Sequence, residues 1–292
     1  MARIADPILL TGASGYVGGH LLAALTAAGH EVRALTRRPE AAGLPDGTDV
    51  RRGDALSGEG IDDALAGCRT AYYLIHSMGQ EGADFGERDR RAARRFAVAA
   101  RAAGVERVIY LGGLEGASEH LRSRADTAAA LAEHGPPLVH VRAAMVVGRG
   151  SASFEIVRHL VDHLPAMIAP RWVDTLTQPV AVADAVTALV AVAEAHDVPA
   201  EVQLGGADVL TYREMMARYA ALAGRRHRPL IKVPFFTPRL SSYWVALVTP
   251  VPLGMIQPLV EGLGAQMVVT EPPPPGINDA PMGFDAAVRA AL

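Results

Sequence analysis

The sequence predicts an α/β fold: a doubly wound parallel sheet with helices on both faces and a small substrate-side lobe towards the C-terminus. Three observations carry that prediction. An apolar run, Ile8-Leu9-Leu10, breaks into Gly12, Gly15 and Gly18 and then opens an amphipathic helix. Apolar strand candidates alternate with helical segments through the first half, the pattern of parallel strands joined by right-handed crossovers. Half of the residues are hydrophobic and a fifth are charged, which suits a well-buried core and argues against long disorder.

The first element is a buried strand at Ile8 to Leu10. Gly12 permits the tight turn after it, Gly15 lets backbone approach a pyrophosphate, and Gly18 lets the following helix, Val17 to Ala28, pack closely on the strand. The first-turn amides of that helix are unpaired and lie at the positive end of its dipole, so the loop Gly12, Ser14, Gly15, Tyr16, Val17 and Gly18 reads as a dinucleotide phosphate cradle. Further strands are expected at Glu31 to Leu35, Val50 to Gly53, Ala71 to His76, Arg107 to Leu111 and Leu138 to Val141. Helices are expected at Ile61 to Ala66, Asp84 to Ala103 and Glu119 to Glu133, with Gly104 as a stop. Residues 1–148 thus form a Rossmann-like dinucleotide-binding core. Residues 149–292 form a lobe interleaved with it as one structural unit, with elements at Phe154 to His163, Val182 to Ala195, Val202 to Leu204 and Tyr212 to Ala223. Asp184 is expected to cap a helix starting at Ala185, and Thr211 with Glu214 to form a capping box. The run Pro272 to Pro275 should be a stiff extended surface segment.

Composition narrows the function classes. A net charge of −3 predicts no nucleic-acid partner, and the arginines between Arg88 and Arg95 fall at the spacing of a solvated helix face. Cys68 is the sole cysteine, so no intramolecular disulfide or cysteine-based metal site is possible; its apolar setting predicts a packed thiol, compatible with a reducing cytosol. Met1 to Pro7 lacks the pattern of a secretion signal, so a cytoplasmic location is expected. The apolar stretch Tyr243 to Gly262 is broken by Pro250, Pro252 and Pro258 and carries Glu261, which favours a lid or subunit contact over a membrane span. No grouping of His, Asp or Glu has metal-ligand spacing, so no metal is expected.

The cofactor class follows from the end of the second strand, where Leu35-Thr36-Arg37-Arg38-Pro39 offers no carboxylate for a ribose 2′-hydroxyl. Arg37 and Arg38, with Ser14, favour NADP(H), because a guanidinium fork suits a 2′-phosphate; the alternative is two solvated loop arginines. Asp54, beside Ala55, either accepts from the adenine amino group or caps a turn. His76 and Ser77 close the fourth strand, where ligands bind in doubly wound sheets, and belong to the nicotinamide half of the site.

With the glycine loop, the paired arginines and Gly53-Asp54 in place, the chain resembles the atypical NAD(P)-binding branch of the short-chain dehydrogenase/reductase superfamily. Tyr73-Leu74-Ile75-His76-Ser77-Met78-Gly79, Tyr110-Leu111-Gly112-Gly113-Leu114, His120-Leu121-Arg122-Ser123-Arg124, Gly150-Ser151-Ala152-Ser153-Phe154-Glu155 and Pro170-Arg171-Trp172-Val173 look like a bacterial NAD(P)H-binding group. That group is similar to NmrA-type redox sensors and an accessory subunit of respiratory complex I, and the likeness extends through Val248-Thr249-Pro250-Val251-Pro252. Typical members use a Tyr-x-x-x-Lys pair on the helix after the fifth strand and a Ser near that strand's end. Here the Ser position falls near Gly112 or Gly113. Aligning Ser123-Arg124 with the family's frequent Ser-Lys puts His120 in the tyrosine position and Arg124 in the lysine position.

Residues four apart share a helix face, so His120 and Arg124 can both point at the nicotinamide, with His120 as proton donor and Arg124 binding the ribose. The competing placement has both on the solvent side. Met78, Arg142, Ser151, Phe154, Glu155 and Trp172 are expected to line the substrate cleft. The leading expectation is an NADPH-dependent oxidoreductase acting on a carbonyl, imine or activated alkene of a small apolar molecule, with a homodimer as the candidate assembly. The alternatives are a non-catalytic NADP(H) sensor or scaffold, and a redox-neutral isomerase, lyase or cyclase.

Overall fold

Seven parallel strands make the frame on which the site is built: β1 (Ile8–Thr11), β2 (Val32–Thr36), β3 (Asp49–Arg52), β4 (Thr70–Tyr73), β5 (Arg107–Gly113), β6 (Leu138–Ala143) and β11 (Glu201–Leu204). Their order is β11-β6-β5-β4-β1-β2-β3, so the sheet reverses direction of growth between β1 and β4. In doubly wound sheets that switch point opens the crevice in which ligands bind. The computed structural model describes residues 7–76, 85–114, 118–164, 167–169, 171–226, 230–232, 242–243, 245–246 and 248–292.

The strands are apolar on both sides because helices cover both sides. Ile8 and Leu10 of β1 pack on one face, with Leu21, Leu22 and Leu25 of α1 (Tyr16–Ala27) and Val186 and Leu189 of α6 (Val182–Glu194). Leu9 packs on the other, with α2 (Ile61–Leu65), α3 (Phe85–Ala102) and α4 (Glu119–His134). Cys68 is buried in this second layer, as its apolar setting predicts. The Tyr72 hydroxyl donates to the Leu189 carbonyl at 3.0 Å, tying the switch point to α6.

A third apolar cluster belongs to the lobe: α5 (Ala152–His163), α7 (Tyr212–Leu222), α8 (Leu253–Gly262) and α9 (Phe284–Ala291). Short pairings hold it: β7 (Val146–Val147) with β10 (Val180–Ala181), β9 (Leu176–Thr177) with β12 (Leu210–Thr211), and β8 (Met167–Ala169) with β13 (Leu230–Lys232).

Two expectations are corrected. The segment around Val202 to Leu204 is the seventh strand of the main sheet, paired in parallel with β6 from Glu201↔His140 onwards. The chain therefore returns to complete the core after starting the lobe. Asp184 caps nothing: α6 begins at Val182 with Ala181 as its N-cap, and the Asp184 carboxylate accepts from the Met282 backbone N–H at 2.7 Å. The expected box at α7 is present, with Thr211 Oγ1 accepting from Glu214 N and Glu214 Oε2 accepting from Thr211 N at 2.7 Å. Among the described residues no helix is long and apolar enough to cross a membrane.

Candidate active site

The glycine loop is shaped by backbone, not by side chains. Gly12 has a φ of +72°, and a Cβ there would meet the Leu74 carbonyl oxygen at 2.7 Å. A Cβ on Gly18 would collide with the Gly12 carbonyl, so α1 sits as close to β1 as a helix can. Gly15 is the N-cap of α1, is exposed, and offers no side chain to its amides; the first turn holds no acid. An uncapped helix end beside open backbone fits an anionic diphosphate. At the far end of this side, Arg37 and Arg38 are exposed past β2, and no hydrogen bond or ion pair engages either guanidinium among the described residues. Asp54 Oδ1 accepts from Leu56 N at 2.8 Å, which is the turn-capping alternative of the two readings; Ala55 beside it is buried.

From Tyr16 and Val17 a cavity of about 280 Å³ runs past the carboxyl ends of β5 and β6 to α5, α7 and α8. It contains His76, His120 and Arg124, and the solvent-side placement of the last two is excluded. His120 is only 9% exposed, and burial reinforced by the Arg124 charge pushes its imidazole down to about 3. Its place in the first turn of α4, capped by Ser118, works in the same direction. Arg124 Nη2 donates to the Leu111 carbonyl at 2.7 Å, and its Nε is buried without an acceptor. The His76 and His120 rings lie 6.2 Å apart, and burial holds His76 well below the usual histidine range as well. His120 is therefore a neutral imidazole beside a fixed positive charge.

The serine position holds glycine packed tightly against neighbouring side chains. A Cβ on Gly112 would strike the His140 ring, and one on Gly113 would meet Leu121 Cδ2 at 2.7 Å. His140 stacks on Tyr110 at 5.2 Å, and burial with the Arg142 and Arg124 charges lowers it to about 4.

The expected substrate residues divide. Ser151 and Trp172 line the cavity, although the Ser151 hydroxyl donates to the Val146 carbonyl at 2.7 Å. Arg142 does not: it extends from the opposite face of β6 to Glu201 at 3.1 Å and lines a separate groove beside α4. Glu155 accepts from Gly150 N at 3.1 Å and pairs with Arg158 at 2.6 Å, so it staples the entry to α5. Phe154 is fully buried against Tyr219 in the lobe core. Ser77 and Met78 lie outside the described residues. Sequence reasoning missed Met145, Met216 and Tyr212 as lining groups. Tyr212 and Met216 are four apart on α7, a spacing that marks a helix face but not what the face meets.

Comparison with known proteins agrees with the fold. Residues 12–147 match the NAD(P)H-binding family. Over those residues the chain is similar to an NAD(P)H-binding domain. A 3-beta-hydroxysteroid dehydrogenase of Mycolicibacterium neoaurum is 34% identical over 116 residues, 35% of this chain and 31% of that protein. The matched stretch spans about a third of the curated relatives' length. The triphenylmethane reductase of Citrobacter sp., solved with NADP(H), superposes with a TM-score of 0.75 at 19% identity, covering 98% of this chain and 100% of that one. A nucleoside-diphosphate-sugar epimerase from Staphylococcus aureus gives 0.73 at 18% identity, over 97% and 100%. These two likenesses concern the fold.

Proposed function

We propose that this protein is an NADPH-dependent oxidoreductase that reduces a carbonyl, imine or activated alkene in a small, uncharged, apolar molecule. One observation carries the reading: His120 and Arg124 stand on one helix face in an otherwise largely aliphatic and aromatic cavity that begins at the glycine loop. A preformed apolar pocket with a few convergent polar groups is the usual form of a small-molecule site.

The bound dihydronicotinamide would supply the hydride. The chain's own residues do the rest. Gly12, Gly15 and Gly18 leave room for the diphosphate at the amino end of α1. Arg37 and Arg38, unengaged among the described residues, fork onto the 2′-phosphate, which is the basis for preferring NADPH over NADH. Neutral His120 donates its ring N–H to the substrate oxygen or nitrogen as negative charge develops there and passes that proton to it, the ring proton being restored from solvent water, so hydride and proton together complete the reduction. Arg124, held by the Leu111 carbonyl, keeps positive charge beside that atom. Leu259 and Leu263, with Met267, close the wall against water.

NADPH consumption against a panel of uncharged ketones, quinones and enones tests the reading. His120→Phe is expected to lower kcat by about 100-fold while leaving the NADPH dissociation constant unchanged. Replacing Arg37 and Arg38 by Ala should weaken NADPH by about tenfold and leave NADH unaffected. Tight NADPH binding with no turnover across the panel would favour the sensor, and turnover without net NADPH oxidation would favour redox-neutral chemistry.

A further inference from the structure

The cavity has two chemically different ends. His120 and Arg124 are on α4, which packs on α3 and α8. Trp172, Tyr212 and Met216 are on α7 and the 310 turn Arg171–Asp174, which pack on one another and, through α7, on α5 and α9. The Trp172 and Tyr212 rings meet edge to face at 5.8 Å. Met145, Met216 and Met267 supply three thioethers, side chains that adapt to an irregular apolar partner. Arg124 is the one permanent charge among the described lining residues, and it already gives one N–H to Leu111 while its Nε is closed off. His76 and His120 are held neutral, and Ser151 is spent on Val146.

We infer that the cavity takes an uncharged molecule with one hydrogen-bond acceptor at its α4 end and an apolar body extending towards α7, and that Met216 and Trp172 set the length admitted. This deepens the reading above and rests on it for the identity of the reacting end. A molecule carrying a diphosphate or carboxylate would have to leave water for a wall that, among the described residues, offers one partly committed guanidinium, which offsets that desolvation only in part. Nucleotide sugars, the substrates named for an epimerase of the same fold, are thereby disfavoured by the described lining of this cavity. The body is recognised by burial alone, so affinity grows with each methylene until the chain end reaches the α7 wall.

Trp172 makes the test direct, because the chain has two tryptophans and the other is Trp244. In a Trp244→Phe background saturated with NADP+, quenching of Trp172 fluorescence measures binding of 2-alkanones of increasing length, the matching alkanoates, and UDP-glucose. The expected result is about fourfold tighter binding per added methylene up to a plateau. Alkanoates should bind at least about tenfold more weakly than the ketones, and UDP-glucose should give no saturable quench. Met216→Ala should move the plateau to longer ketones and Met216→Trp to shorter ones, with circular dichroism confirming that both fold. Affinity independent of length, or UDP-glucose binding as tightly as the ketones, overturns the inference, and either is read on the protein with Met216 intact. Length-dependent ketone binding without any NADPH oxidation would leave the inference standing and remove the oxidoreductase reading. Turnover on ketones without length dependence would do the reverse.

Discussion

The glycine loop beside the cavity and the lobe side of the cavity are made of different material. On the cofactor side the surface is backbone, set by Gly12, Gly15 and Gly18 and by the amides at the start of α1, so its shape is fixed within a dozen consecutive residues. On the lobe side the surface is side chains drawn from α5, α7 and α8, with Met145 and Met267 between them, spread over more than a hundred residues. A backbone wall has no rotamer to adjust, so one added methyl is an obstruction. A side-chain wall can repack, and volume-conserving changes there cost less than about 1.5 kcal/mol.

The sharpest way to break this contrast is at the glycines. Gly18→Val places a side chain inside the Gly12 carbonyl and forces α1 away from β1; a loss of at least about 3 kcal/mol in unfolding free energy is expected, measurable by urea denaturation. Gly15→Val separates the two roles of the loop. Gly15 has ordinary extended φ and ψ of −79° and 168°, and its Cβ would meet only the Gly12 carbonyl, at 3.1 Å. The variant should fold with a Tm close to that of the parent and yet lose NADPH affinity by about 100-fold in a fluorescence titration, because the side chain stands where the diphosphate approaches. Retained affinity in Gly15→Val would show that the cofactor does not use this loop.

The same contrast explains what was legible in the sequence. The sheet, the loop and the shared helix face of His120 and Arg124 are local: continuous apolar runs, a glycine spacing, and two residues four apart on one helix. Each needs only its own neighbours to be interpreted. Arg142, Glu155 and Phe154 were misplaced because their roles depend on distant partners. Arg142 alternates with Val141 on β6 and so faces the groove with Glu201, a residue of the strand contributed from the far side of the lobe. Glu155 is claimed by Gly150 and Arg158, and Phe154 by Tyr219. Nothing in residues 150–155 alone announces those partners.

A second feature of the core side is electrostatic, and pH exposes it. His120 and His140, both on the core side, are held at about 3 and about 4, while the unfolded chain protonates histidine near 6.5. As pH falls below about 6.5 the unfolded state takes up protons that the native state refuses, so stability declines through the window from 6.5 towards 4 and 3. At pH 5 each buried imidazole should cost about 2 kcal/mol relative to pH 8. The expected observation is a urea midpoint that drops steeply between pH 7 and 5, with His140→Leu flattening the slope by the share of one histidine. A slope unchanged in His140→Leu would mean that the ring is already charged in the folded protein.

The smallest effect tests whether the lobe wall is as independent of the cofactor side as its construction implies. Thr211 caps α7, the helix that carries Tyr212 and Met216 into the cavity, and its hydroxyl and amide share the Glu214 carboxylate in a capping box. Thr211→Ala removes one cap and should destabilise the protein by about 1 kcal/mol. Because α7 touches the cavity through side chains alone, loosening its first turn should raise the KM for an apolar substrate severalfold while the NADPH dissociation constant stays unchanged. Equal losses in both would mean that α7 and the glycine loop move as one body, and that the two walls, though built differently, are mechanically coupled through the sheet.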